Sequence, residues 1–147
     1  MAVKTFKPTT PTLRYKTVAD FSVLTKKSEL PSRPKKLTKM VSKSGGRNVH
    51  GRITVQQIGG GHKKMYRNVD FMRAKLNVPG TIASIEYDPN RTAYIALVNY
   101  NDGDKQFIIA ADGLKVGDKI IASNEADIKP SNNLQLSFIP VGTFIHN

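Results

Sequence analysis

Residues 43–64 read KSGGRNVHGRITVQQIGGGHKK. Two glycine clusters, Gly45-Gly46 and Gly59-Gly60-Gly61, stand among Lys43, Arg47, Arg52, Lys63 and Lys64 with no carboxylate between them. Glycine costs conformational entropy on ordering, so stability alone does not account for such a stretch. Glycines do let a backbone come close to a phosphate or enter a narrow groove, while cations around them neutralise charge. Arginine adds bidentate phosphate contacts and stacking on bases, which lysine does not. Arg67 continues the cationic run, and Tyr66 beside it offers either a stacking surface or one face of a strand, two compatible readings. The pattern implies a polyanion that orders the segment from outside; a flexible linker is the competing reading of the glycines.

Catalysis finds few parts. There is no cysteine, which removes thiol nucleophiles, disulfides and cysteine-ligated metals together. His50, His62 and His146 are the only side chains that titrate near neutrality, and none stands in a metal spacing such as HExxH. Loop positions or phosphate contacts suit them better, so no metal is expected. The carboxylates fall mainly in turns, as in Asp88-Pro89 and Asp102-Gly103-Asp104, where they cap backbone amides. GGGH lacks the GxxxxGK pattern of phosphate-binding loops, and no GxGxxG opens a helix. Neither an enzyme nor a cofactor is expected.

Charge is unevenly distributed. Residues 1–76 hold 18 Lys or Arg against Asp20, Glu29 and Asp70, a net of +15, whereas residues 77–147 hold 5 against 8, a net of −3; together they make the +12 of the chain. The first half repels itself unless an anion is present, and the second can fold in the ordinary way. Nucleic acid is favoured over a membrane surface, because no amphipathic helical face accompanies the charge. The longest apolar run, residues 94–98, is far short of the roughly 20 residues a membrane helix needs, and the start MAVKTFKPTT does not resemble a signal peptide. No membrane partner is expected.

The elements that must carry these residues divide the chain. Pro8, Pro11, Pro31 and Pro34 interrupt residues 1–42, which read as an extended basic arm, disordered when free and ordered on RNA. From Lys64 the pattern turns to short runs of period two, rich in β-branched and aromatic residues. Five strands are predicted: Met65–Arg73, Thr81–Tyr87, Tyr94–Tyr100, Lys105–Ala110 and Lys119–Ser123, joined by Pro-, Gly- and Asp-containing turns. Strands of this length and spacing suggest a small antiparallel barrel of the oligonucleotide-binding type, with part of a β-sandwich as the alternative. After the polar stretch SNEADIKPSNN comes an apolar, strand-like ending with Phe138, Ile139, Val141, Phe144 and Ile145, which calls either for a docking partner or for the chain to be the first part of something larger.

The motifs KSGGRN, GRIT, GGGHK, VDF, EYDPNR and GLK, in this order and spacing, carry a resemblance. The chain resembles, from about Lys4 to its last residue, the amino-terminal half of the bacterial-type large-subunit ribosomal protein L-two (uL-two) family. The resemblance implies an all-β fold: a five-stranded oligonucleotide-binding (OB) barrel preceded by a basic extension that threads into large-subunit ribosomal RNA. It also implies three parts, namely a basic glycine-containing extension at 1–62, the barrel at 63–125, and at 126–147 a linker with the first strand of an incomplete second, SH3-like barrel. Family members continue into that barrel and a glycine-, histidine- and arginine-rich tail, whose roles are not carried over. Gln57 stands where the family often has a basic or aromatic residue and is assigned no contact.

The RNA-facing set expected from these readings is Lys4, Lys7, Arg14, Lys35, Lys36, Lys43, Gly45, Gly46, Arg47, Arg52, Gly59, Gly60, Gly61, His62, Lys63, Lys64, Tyr66, Arg67 and Arg73. The expected partners are large-subunit rRNA, other ribosomal proteins, and a separate chain carrying the carboxy-terminal half. The expected location is the large ribosomal subunit, in a bacterial cytoplasm or an organelle matrix; 16 Lys against 7 Arg suggest an AT-rich genome, which suits either. The competing function is a free single-stranded-RNA chaperone, which needs exposed aromatics on its strands for stacking.

Overall fold

The computed structural model describes residues 3–32 and 34–146. The predicted extension and terminal segment also contain residues 1, 2, 33 and 147, which lie outside the described residues. Strands β1 (Val3–Thr5) and β2 (Thr17–Ala19) form one antiparallel ribbon, and β3 (Thr38–Met40) and β4 (Met65–Arg67) form another. Strands β5 (Gly80–Glu86), β6 (Ile95–Tyr100), β7 (Lys105–Ile109) and β8 (Lys119–Ile120) make an antiparallel sheet in the order β7-β6-β5-β8.

The fold class is all-β, with the sheet curled into a half-barrel, as an OB-type domain requires. The predicted count of five barrel strands is not found: the sheet has four, and the first predicted strand pairs with β3 in a ribbon of its own. That strand also ends early. Asp70 Oδ1 accepts from the amides of Met72 (3.1 Å) and Arg73 (3.0 Å), and Arg73 has φ of 51°, so the chain turns there. Before the turn, Val69 bridges to Phe107 in parallel and the Asp70 amide donates to Phe107 O at 2.7 Å, which ties the ribbon to the edge of β7.

Strand β6 explains where the core sits. Its continuous apolar run IALV marks a strand covered on both faces rather than one. Ala96, Val98 and Tyr100 pack with Ile82, Ile85, Ile108, Leu114 and Ile120 on the concave side. Ile95 and Leu97 pack with Phe107, Leu37 and Val69 on the other. Leu37 comes from the 3-10 turn Lys35–Leu37 just before β3, so part of the segment that reads as extension is built into the second core. Each such side chain contributes roughly 1.5–3 kcal/mol on full burial. The buried apolar side chains run from Leu37 to Ala122.

Two outlying segments dock on this body. A bulge between Ile82 and Ser84 re-aims β5 beyond the reach of the short β8. There the Ile85 amide donates to Thr25 Oγ1 (2.9 Å) and the Thr25 amide donates to Ile85 O (3.0 Å). Tyr94 OH donates to Asp20 O at 2.7 Å, and Leu24 packs on the concave core. After β8, the Ser123 amide donates to Asn133 O (3.0 Å) and the Asn133 amide to Ile121 O (3.1 Å), so the chain folds back along that strand. The terminal segment expected to be strand-like has no ladder partner among the described residues. It forms a 3-10 turn, Leu136–Phe138, and leaves Phe138, Val141, Phe144 and Ile145 exposed. An isolated strand has nothing to satisfy its backbone groups, and Pro140 supplies no amide for a ladder.

Candidate nucleic-acid interface

The β3–β4 ladder pairs Thr38 with Arg67, Lys39 with Tyr66 and Met40 with Met65. Everything between, residues 41–64, is therefore one long hairpin loop, and the glycine and cation pattern of KSGGRNVHGRITVQQIGGGHKK lies within it. The loop has internal order. Arg47 bridges to Ile53, the Asn48 amide donates to Arg52 O at 2.9 Å, and Asn48 Oδ1 accepts from the Arg52 amide at 3.0 Å. The Thr54 and Val55 amides both donate to Gly46 O, at 3.0 and 3.2 Å.

The two glycine clusters serve different ends. Gly46 is buried at φ +75°, and a Cβ there would lie 2.5 Å from Val55 O, so the loop's own packing demands glycine. Gly60 has φ +65° and a Cβ would meet nothing within 4 Å. Its backbone conformation favours glycine, but its side is open to an outside surface.

The cations of the loop are presented to solvent. Lys43, Arg47, Arg52, His62 and Lys63 are exposed, as are Gly59 and Gly61. Lys64 is half-buried, and its Nζ donates to Pro89 O at 2.9 Å. Lys35 and Lys36 are exposed at the turn leading into β3, close in sequence to the base of the loop, and Lys39, absent from the expected set, is exposed on β3 itself. Its signal is its place in the KKLTKMVSK run, which in sequence is indistinguishable from the arm. Lys4, Lys7 and Arg14 are exposed on the separate β1–β2 ribbon and its connection. There the Lys4 and Lys16 ammonium groups lie 5.9 and 5.5 Å from the Phe6 ring centre.

Arg67 and Arg73, expected among the RNA-facing cations, are turned into the fold instead, with 8% and 9% of their surface accessible. Arg67 Nη1 donates to Met65 O (3.2 Å) and to Asp88 Oδ1 (3.3 Å), and Arg73 Nη2 donates to Ser131 O (3.2 Å). The Arg67 side chain reaches inward because a fully buried carboxylate, Asp88, needs counter-charges. Asp88 Oδ2 also accepts from Arg91 Nε at 2.6 Å, and its Oδ1 accepts from the amide and side chain of Asn90. Burial acts to raise the Asp88 carboxyl, but the bonds from Arg91 and Asn90 outweigh it and hold the group below the usual carboxylate range. Asn90 Nδ2 donates onward to Met65 O at 2.8 Å. The Asp88–Arg91 turn thus clamps the returning leg of the loop at residues 64–67. Tyr66 is 38% exposed and has the Arg91 guanidinium 5.9 Å from its ring centre, so it serves as strand residue and exposed ring at once.

Among the described residues no group of three or more His, Asp or Glu could hold a metal, and no helix is long and apolar enough to cross a membrane. The arrangement can do one kind of chemistry: hold polyanion charge on an exposed, carboxylate-free finger while a packed β body fixes its base.

Comparison with known proteins agrees with this geometry. The uL2 protein of Rhizobium leguminosarum bv. trifolii (strain WSM2304), named Large ribosomal subunit protein uL2, is 55% identical over 148 residues, covering 100% of this chain and 52% of that relative. The protein of the same name from Rhizobium etli (strain CIAT 652) gives the same identity and coverage. The chain thus spans about half the length of the curated relatives it matches. A family model described as "Ribosomal Proteins L2, RNA binding N-terminal domain" matches residues 34–122, which brackets the buried core from Leu37 to Ala122. On the family match and the identity along its whole length, the chain belongs to the ribosomal protein L2 (uL2) family.

Proposed function

We propose that this chain is a structural constituent of the large ribosomal subunit, which binds and stabilises large-subunit rRNA without catalysis. The observation that carries this reading is the 41–64 loop: exposed cations and open glycine backbone, free of carboxylates, held at its base by the β3–β4 ladder. The loop neutralises phosphates where RNA segments converge, and its glycines allow close backbone packing. The extension at 1–62 supplies the RNA contacts, the barrel at 63–125 is the anchor, and 126–147 is the linker into a second barrel. Lys4, Lys7, Arg14, Lys35, Lys36, Lys43, Arg47, Arg52, His62, Lys63 and Lys64, with Gly59 to Gly61 and Tyr66, form the RNA-facing set; Gly45 and Gly46 shape the loop. Other ribosomal proteins are its neighbours, and the exposed apolar side chains of Phe138, Val141, Phe144 and Ile145 support a separate polypeptide with the rest of a uL2-type second barrel as the cover.

The chaperone reading is less well supported, because the aromatics on the central strands are buried: Tyr100 is 6% and Phe107 0% exposed. Titration of the full chain against large-subunit rRNA fragments at several salt concentrations tests the proposal. Arg47→Ala and Lys63→Ala should each flatten the slope of log K against log salt by roughly 0.7–0.9 for every phosphate left without its cation. The native protein should also sediment with large subunits. Unchanged slopes in both variants, or sedimentation away from large subunits, would overturn it.

A further inference from the structure

A groove of about 870 Å³ runs beside the β3–β4 ribbon, between residues 34–39 and 68–72 on one side and the turn into β7 at 103–106 on the other. Phe71 and Met72 line it with 54% and 86% of their surface accessible, and the Arg91 guanidinium lies 5.6 Å from the Phe71 ring centre, leaving the other ring face open. Lys36, Lys39 and Lys105 line it, and none of the three has a partner among the described residues. Two carboxylates line it too: Asp104 shares Lys75 with Asp102, and Asp70 Oδ1 accepts from the amides of Met72 and Arg73. The groove therefore sets three lysines against two carboxylates, a net positive charge beside an exposed ring. Gln106, also in its lining, has its Oε1 buried without a donor.

A bare inorganic anion would use the lysines and leave the ring idle; an apolar ligand would do the reverse. One chemistry uses both, a phosphate joined to a flat base with amino groups to donate. A duplex keeps its base faces stacked inside, so the base must be unpaired to reach Phe71. The geometry points to a site in this groove for one or two unpaired RNA nucleotides. Lys36, Lys39 and Lys105 hold the phosphates, the base stacks on the open face of Phe71, and the Gln106 side chain turns its unpartnered Oε1 out of its buried position to accept from a base amino group. Such a site presupposes the RNA-binding role proposed above and adds to the loop a second contact that distinguishes single from double strands.

The test is a titration of the isotope-labelled full chain with hexaadenylate, hexacytidylate and an RNA duplex of equal length, followed by amide chemical shifts. Single strands should move the amides of Phe71, Met72, Lys105 and Gln106 saturably, and the duplex should not. Phe71→Ala should weaken single-strand binding by about five- to 150-fold. Lys105→Ala should reduce its salt slope by about 0.7. Both side chains are exposed or partly so, and the β6–β7 amide pattern would report whether each variant keeps its fold. Shifts confined to residues 43–64, equal shifts with duplex, or tighter binding of hexaglutamate to the same amides would overturn the groove and leave the loop standing. If no RNA moves either region, the RNA-binding role falls with it.

Discussion

At the scale of single residues, Asp88 matters more to the interface than its burial suggests. It touches no solvent, yet through Arg67, Asn90 and Arg91 it fixes the turn that holds Met65 and Lys64 at the base of the loop. Removing one partner of a buried ion pair strands the others, so Asp88→Ala should cost about 3–5 kcal/mol in chemical denaturation. Acidification should act in the same direction. The folded Asp88 titrates below its ordinary value, so its contribution is present at neutral pH and is lost as pH falls through the depressed folded value. Unfolding measured from pH 6 downward should show a loss that is smaller in Asp88→Asn, which has no charge to neutralise. The residue types that read clearly from sequence were the solvent-facing ones, Lys43, Arg47, Arg52 and Lys63, because a carboxylate-free run leaves them no partner within it. Arg67 and Arg73 read the same way and are not exposed. Their partners, Asp88 and Ser131, lie 21 and 58 residues away, a distance over which charge patterning carries no information.

At the scale of elements, β5 to β8 were legible because each strand carries its own period and is bounded by turn residues. The loop's anchor was not. Thr38–Met40 is three residues long and follows Pro34, and nothing local distinguishes a short ribbon strand from an extended arm. It forms because Leu37 and Val69 cover the outer face of β6 and β7, a tertiary effect that overrides local preference. Once the loop is seen as a closed finger, its glycines should fail differently when replaced. Gly46→Ala places a Cβ against Val55 O and adds a left-handed penalty of about 1–2 kcal/mol, so it should disorder the lobe and lower RNA affinity while the melting of the β body stays unchanged. Gly60→Asn keeps the left-handed backbone, since asparagine tolerates it, and meets no atom of the chain. If RNA packs against this backbone, affinity should drop about tenfold with the salt slope intact. Equal affinity in Gly60→Asn would favour a plain linker at Gly59–Gly61. Binding isotherms at two salt concentrations, beside thermal melts of both variants, separate the cases.

At the scale of the whole molecule, a body packed between Leu37 and Ala122 carries peripheral segments held at few points, and the charge follows the same division. The arm, uniformly extended by its sequence, is tethered ahead of Leu37 around residues 20–25: Thr25 pairs with the open edge of β5, Tyr94 OH donates to Asp20 O, and Leu24 packs on the core. That tether was not legible, because it depends on a bulge in β5 and on β8 being too short to cover the same edge. Amide exchange in the free protein should therefore fall into three tiers. Protection should be strongest in β5, β6 and β7, intermediate at Thr25, and weakest in residues 43–64 and in the β1–β2 ribbon, whose strands are three residues each and mostly exposed. Tyr94→Phe removes only the donor to Asp20 O, at a cost of about 1 kcal/mol. It should speed exchange at Thr25 while leaving Val98 and Phe107 slow, because the ring still fills the concave core. If charge neutralisation by RNA holds the loop, as proposed, adding cognate RNA should slow exchange in residues 43–64 in both proteins. Equal protection across all three tiers in the free protein would contradict this division. So would a Tyr94→Phe variant whose loop no longer gains protection on RNA, since that would make the arm's tether part of the loop's own support.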